Sequence, residues 1–151
     1  MERIELSLAE HPFLTGLAQH QLRLIAECAT RVHFKPNEFL GREDQEARQF
    51  YLIYHGRVAL ELFSATRGPI IIQTVGEGEV VGWLWFDKPY HWRFDARAME
   101  VTRAIALDVK CLLERCEQNH ELGYGILKRY AHNLAVQFRV ARLQLIDVYG
   151  S

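Results

Sequence analysis

Residues 75–97 read VGEGEVVGWLWFDKPYHWRFDAR. Gly76, Glu77, Gly78 and Glu79 make a turn, Val80 and Val81 re-enter a strand, and Gly82 opens a short aromatic segment that Pro89 ends. The chain then returns as an extended strand from Phe94 to Leu107. A glycine at 82 lets backbone N–H groups approach an anion closely, and a short helix beginning there would add its dipole. Immediately after it stand Trp83, Leu84, Trp85 and Phe86, an apolar wall where anion chemistry would place charges.

The turn is one of several. Phe50, Leu52 and Tyr54 alternate with Tyr51, Ile53 and His55, and Val58, Leu60 and Leu62 alternate with Ala59, Glu61 and Phe63. Ile70, Ile72 and Thr74 continue the period of two, as do Val101, Arg103 and Ile105. Lys35-Pro36-Asn37, His55-Gly56 and Arg67-Gly68-Pro69 interrupt the block at short intervals. Short strands so spaced predict a sandwich or barrel and exclude an alternating strand–helix sheet. Before it, Leu6 to Arg31 carries Leu17, Leu22, Ile25, Ala26 and Ala29 at helical spacing, with Pro12 suited to a first turn. After Val109 the pattern is helical again. The reading is one domain, mainly β with flanking helices: helices over 1–31, a jelly roll of about eight strands over 32–108, and helices over 109–149.

A chain of 151 residues suits a single core. A net charge of −1 points to neither a polyanion nor an anionic membrane as partner. No apolar run approaches the roughly 20 residues of a membrane span. The N-terminus lacks a signal pattern, so the expected location is the cytoplasm. Cys28, Cys111 and Cys116 are odd in number and lack disulfide or zinc spacing, so three reduced thiols are expected.

Leu127, Ala131, Leu134, Phe138, Ala141, Leu145 and Val148 step by four and three along the last helix, with Arg129, Arg139 and Arg142 off that seam. Its distal part, Leu134, Phe138, Ala141, Leu145 and Val148, is expected to pair with a second copy in a homodimer. Packing on the chain's own barrel is the alternative.

Helix, short strands with an internal glycine turn, then a long helix: this order resembles the cyclic-nucleotide-binding domain of catabolite-activator-type regulators and protein kinase A regulatory subunits. Phe34 to Leu40, the hairpin Phe50 to Val58, the turn Gly76 to Gly82 and the strand Ala98 to Asp108 carry the resemblance. It implies a jelly roll with a phosphate cassette after Gly82. The family places there a glutamate for the ribose hydroxyl, where this chain has Trp83. The arginine that pairs with the cyclic phosphate falls on Trp92 by count, or on Arg93 if the loop is one residue longer. Indole offers one N–H and a flat apolar face where arginine offers a bidentate charged fork, which argues against ordinary cyclic AMP binding.

The aromatic cassette admits three readings. Trp83, Trp85, Phe86, Tyr90 and Trp92 fill the cavity, or they stack on a flat ligand, or they dock a protein. The ligand reading assigns Gly82, Trp83, Leu84, Trp85 and Trp92 to the pocket, with His91, Arg93 and Arg97 as anion partners. Asp87 and Asp95 could instead hold the arginines.

The seven histidines show no metal-binding pair, although His33 and His55 could approach across strands. Neither serines nor cysteines have a nucleophile context, so no enzyme is expected. DNA-binding members of the family carry a further domain after the long helix. This sequence ends at Gly150-Ser151 without one, and no DNA contact is expected. The expected function is a non-catalytic regulatory or accessory binding module with a degenerate cassette. Alternatives are a sensor for a cyclic nucleotide or NAD(P)H, and an accessory subunit of a larger redox-enzyme complex, because similar stand-alone domains accompany soluble NAD-linked hydrogenases.

Overall fold

The computed structural model describes residues 3–82 and 91–150. Among the described residues two short helices, α1 (Ile4–Glu10) and α2 (Gln19–Ala26), precede eight strands. These are β1 (Ala29–Phe34), β2 (Phe39–Gly41), β3 (Gln49–His55), β4 (Val58–Ser64), β5 (Gly68–Val75), β6 (Val80–Val81), β7 (Asp95–Ala98) and β8 (Thr102–Asp108). Helices α3 (Val109–Gln118) and α4 (His120–Gly150) complete the chain. The strands form two four-stranded antiparallel sheets, ordered β1-β8-β3-β6 and β2-β7-β4-β5, which make the jelly roll.

The period of two buries both faces of the central strand. Phe50 and Leu52 of β3, with Ile105 and Leu107 of β8, face a core shared with α1 to α4. Their neighbours Tyr51 and Ile53, with Ala104 and Ala106, face the space between the sheets. A strand covered on one side by helices and on the other by a second sheet reads as continuous apolar sequence.

Two expectations at the edges of the roll are corrected. Ala29, Thr30 and Arg31 are strand, not helix, because they pair in register with Leu107, Ala106 and Ile105. Pro12 takes a first turn as expected, starting a single 3-10 turn to Leu14 that breaks the helical segment between α1 and α2. The stretch from Phe94 to Leu107 is two strands in different sheets, since Met99 to Val101 turn between β7 and β8.

His11 locks the break in the N-terminal helix. Its Nδ1 accepts the Phe13 N–H at 3.1 Å, which leaves Nε2 to donate to the Ile53 carbonyl at 3.2 Å. The ring is 1% exposed, and burial pushes its pKa down. That carbonyl also accepts the Gly78 N–H, so the imidazole and the 76–79 turn share one anchor on β3.

Asp108 caps α3 by accepting the Cys111 N–H at 2.8 Å. Cys28 and Cys111 form a disulfide, which corrects the expectation of three reduced thiols; Cys116 is free. Spacing could not reveal the pair, because 83 residues separate the cysteines and only the β1–β8 register brings them together.

Helix α4 buries Leu122, Ile126 and Tyr130, with Leu134 packed against the same core. Leu127 and Ala131 face outward, one position round from the buried stripe. Phe138, Ala141, Leu145 and Val148 are exposed on the distal half. Among the described residues no helix is long and apolar enough to cross a membrane.

Candidate ligand site

The predicted pocket begins at Gly82, at the end of β6, with φ of +95°. A side chain there would stand 3.0 Å from the Phe50 Cβ and 3.3 Å from the Trp92 ring, so glycine serves both the turn and the packing. Trp83, Leu84 and Trp85 lie outside the described residues, as do Phe86, Asp87, Pro89 and Tyr90.

Trp92 is described, and it points into the roll. It is 6% exposed and belongs to the core between the sheets. Its ring lies on Gly41: a Cβ on that glycine would come within 2.1 Å of the indole. Tyr51 stacks alongside at 6.4 Å between centroids and Phe94 meets it edge-on at 5.8 Å. Ala96, Ala98, Ala104 and Ala106 line the same interior, and these small residues leave the volume that the aromatic rings occupy. The Trp92 backbone N–H donates to the Gln45 carbonyl at 2.9 Å, and its carbonyl accepts the Asp44 N–H at 2.8 Å, so the 42–45 loop fixes the backbone that carries the ring. Burial also pushes the Tyr51 phenol pKa up, and its O–H donates to the Leu40 carbonyl at 3.2 Å.

The charged candidates face elsewhere. His91 and Arg93 flank Trp92 and are exposed, as strand-like alternation requires. Arg97 is engaged with protein: its Nε and Nη2 reach the two carboxylate oxygens of Glu61 at 3.0 and 3.3 Å, and Nη1 donates to Asn37 Oδ1 at 2.9 Å. Hydrogen bonding to the nearly buried Glu61 raises the Arg97 pKa further. Asp95 pairs with Arg42 at 3.7 Å and accepts the Glu43 N–H at 2.8 Å, so its partner is not Arg93 or Arg97. Gly82 and Trp92 are therefore brought together, whereas Arg97 is spent on structure.

Sequence reasoning missed Gly41, Glu61 and Asn37. A glycine inside a strand pattern is a signal of close approach, here by indole. Glu61 sits in an apolar alternation, the place where a buried carboxylate needs a cation. His33 and His55 do not meet, because β8 runs between their strands and Arg103 pairs with both. Among the described residues no group of three or more His, Cys, Asp or Glu could hold a metal ion.

An open cleft of about 600 Å³ lies beside this region, between the 12–15 segment, the 78–80 turn and α4. Phe13, Lys128, His132 and Gln137 line it. It is separate from the space between the sheets, none of whose core residues borders it.

A family model described as the cyclic nucleotide-binding domain matches residues 31–119, more than half of the chain. The chain belongs to that family. Cyclic nucleotide-binding domains are typically non-catalytic, and their solved relatives share this fold. A protein of Geobacter metallireducens GS-15, described as cyclic nucleotide-binding, superposes with a TM-score of 0.77 at 24% identity, covering 91% of this chain and 98% of that one. A cyclic nucleotide-binding domain of Methylobacillus flagellatus KT gives 0.81 at 17% identity over 96% and 82%. The regulatory subunit of a cAMP-independent protein kinase A from Trypanosoma brucei, a triple mutant with cAMP in its A site, gives 0.67 at 22% identity over 90% and 48%. No curated protein matches the sequence.

Proposed function

We propose that this cyclic nucleotide-binding domain is a non-catalytic regulatory module whose nucleotide space is filled by its own tryptophan. The observation that carries the reading is the Trp92 ring, seated on Gly41 beside Gly82 in the interior of the roll. By count Trp92 stands where the resemblance expects the phosphate-pairing arginine, and the exposed Arg93 takes that place only with a loop one residue longer. A cyclic nucleotide entering that space would have to displace a buried indole, whose removal from a core costs about 3–5 kcal/mol. Its phosphate would then find no guanidinium from Arg97, which Glu61 and Asn37 hold.

A module without catalysis acts through what it binds, and the exposed distal half of α4 is the surface we assign to that role. Phe138, Leu145 and Val148 are 65%, 58% and 70% exposed on one helical stripe, in the spacing of a two-helix seam. The occupant is a second copy of this chain, giving a homodimer. Leu134, placed on the seam from sequence, packs on its own roll and marks where the seam would begin.

Calorimetric titration of the purified chain with cyclic AMP and cyclic GMP tests the reading. The expected result is no saturable heat at millimolar ligand. Micromolar binding of either nucleotide that Arg93→Ala abolishes would establish a working phosphate site and overturn it.

A further inference from the structure

Cys28 and Cys111 are set at one structural junction by contacts that do not need the bond between them. Cys28 immediately precedes β1, whose first residue Ala29 pairs with Leu107 of β8. Its carbonyl accepts the Asp108 N–H at 3.0 Å, and the same aspartate caps the Cys111 N–H. The two Cα atoms stand 5.6 Å apart. The Leu24 carbonyl lies 4.0 Å from Cys28 Sγ, an acceptor ready for the thiol once the bond opens.

The two sulfurs differ in access. Cys28 is 6% exposed, whereas Cys111 is half-buried in the first turn of α3. Access alone separates them: a small disulfide or thiol reaches the half-buried Cys111 sulfur before the buried Cys28, so Cys111 is the sulfur that attacks and is attacked. Burial, and then the charge of Glu117, push the Cys116 thiol pKa up.

What the bond holds is α3, and through it α4. A single residue, Asn119, separates the two helices, and its side chain accepts the Leu122 N–H at 3.0 Å. Gly123 of α4 packs so closely on Cys116 that a Cβ there would lie 3.2 Å from its carbonyl oxygen. The two helices are packed on each other here, and α3 is tied to the α2–β1 junction by the disulfide and by the Arg115–Glu27 ion pair at 3.6 Å.

We infer that Cys28 and Cys111 are a reversible redox modification site, exchanged by a low-molecular-weight disulfide of the glutathione class, whose state sets how firmly α3 and the root of α4 are held to the roll. In oxidation the Cys111 thiolate attacks the small disulfide, forming a mixed disulfide and releasing one small thiol. The Cys28 thiolate then attacks Cys111 Sγ and releases the second. Two protein thiols become one S–S bond, and the two electrons and two protons leave on two molecules of small thiol. Reduction runs the same steps backwards. The exchange is independent of whether the nucleotide space is filled.

The test equilibrates the full chain over stepped ratios of reduced to oxidised glutathione, quenches it in acid, and alkylates it in denaturant for mass analysis. Cys28 and Cys111 should lose their labels together as the ratio falls, while Cys116 stays labelled throughout. Amide exchange over 109–126 should be roughly tenfold faster in the reduced chain. A Cys28→Ser, Cys111→Ser double variant should exchange at the reduced rate in both buffers; if it does not fold, wild type at the two extremes carries the same readout. The inference is overturned if both cysteines stay labelled at every ratio, if the bond never opens without denaturant, if Cys111 stops at the mixed disulfide, or if exchange is equal in the two states.

Discussion

The Trp92 indole rests on the α-carbon of Gly41, in the space that a Cβ at that position would fill at 2.1 Å. Gly41 ends β2 and Trp92 precedes β7, its partner strand, so the contact closes one end of the second sheet. Gly41→Ala should therefore act as an overpacking substitution, costing about 1–3 kcal/mol in denaturant unfolding. It should also move the tryptophan emission to longer wavelength as the ring is expelled. Unchanged stability and emission would mean the indole sits elsewhere in solution.

Arg97 should behave as a structural residue. Glu61 is nearly buried, and removing its cation leaves an uncompensated carboxylate, so Arg97→Ala should destabilise the fold by roughly 3 kcal/mol. Arg97→Ala together with Glu61→Leu should recover much of that loss. A stable single variant with altered ligand binding would return Arg97 to the pocket.

Acid should weaken the fold through His11. Its folded pKa lies below the ordinary imidazole value, so the unfolded chain takes up the proton first. The contribution is complete above about pH 6.5 and is lost progressively as pH falls below that value toward the folded pKa. Protonation would also strip the acceptor from the Phe13 N–H. Unfolding in urea from pH 7.5 down to 5 measures the slope, and His11→Gln should flatten it.

Replacing Phe138 and Leu145 with glutamate should give a folded monomer by light scattering, with the unfolding midpoint no longer dependent on protein concentration. Both side chains are exposed on the single chain, so the charges add no burial within it. A double variant that remains dimeric would move the interface away from this stripe.

Much of the fold was legible because alternation and turn chemistry act locally. Residues 49–63 declare two strands, and Gly56, with φ of +101°, declares the hairpin between them. The helical reading of Ala29 to Arg31 failed because alanine and arginine carry no strand signal, and their pairing with β8 is decided by residues more than seventy positions away. The cassette was legible in its glycine and ambiguous in its tryptophans, since an indole that fills a pocket and one that lines it have the same letter. Gly41 was the missing clue, a glycine that admits the ring from across the sheet. The partner of Arg97 was hidden for a related reason. Glu61 is one strand away from Arg97 in space and 36 residues away in sequence.

The claim that Trp92 occupies the family's nucleotide space is tested most directly by its own indole N–H. The resonance is identified in the nitrogen-labelled protein by its loss in Trp92→Phe and followed during titration with cyclic AMP. A filled pocket predicts a peak protected from solvent exchange that does not move up to millimolar nucleotide. A peak that shifts and saturates at micromolar cyclic AMP, and stays still in Arg93→Ala, would contradict it.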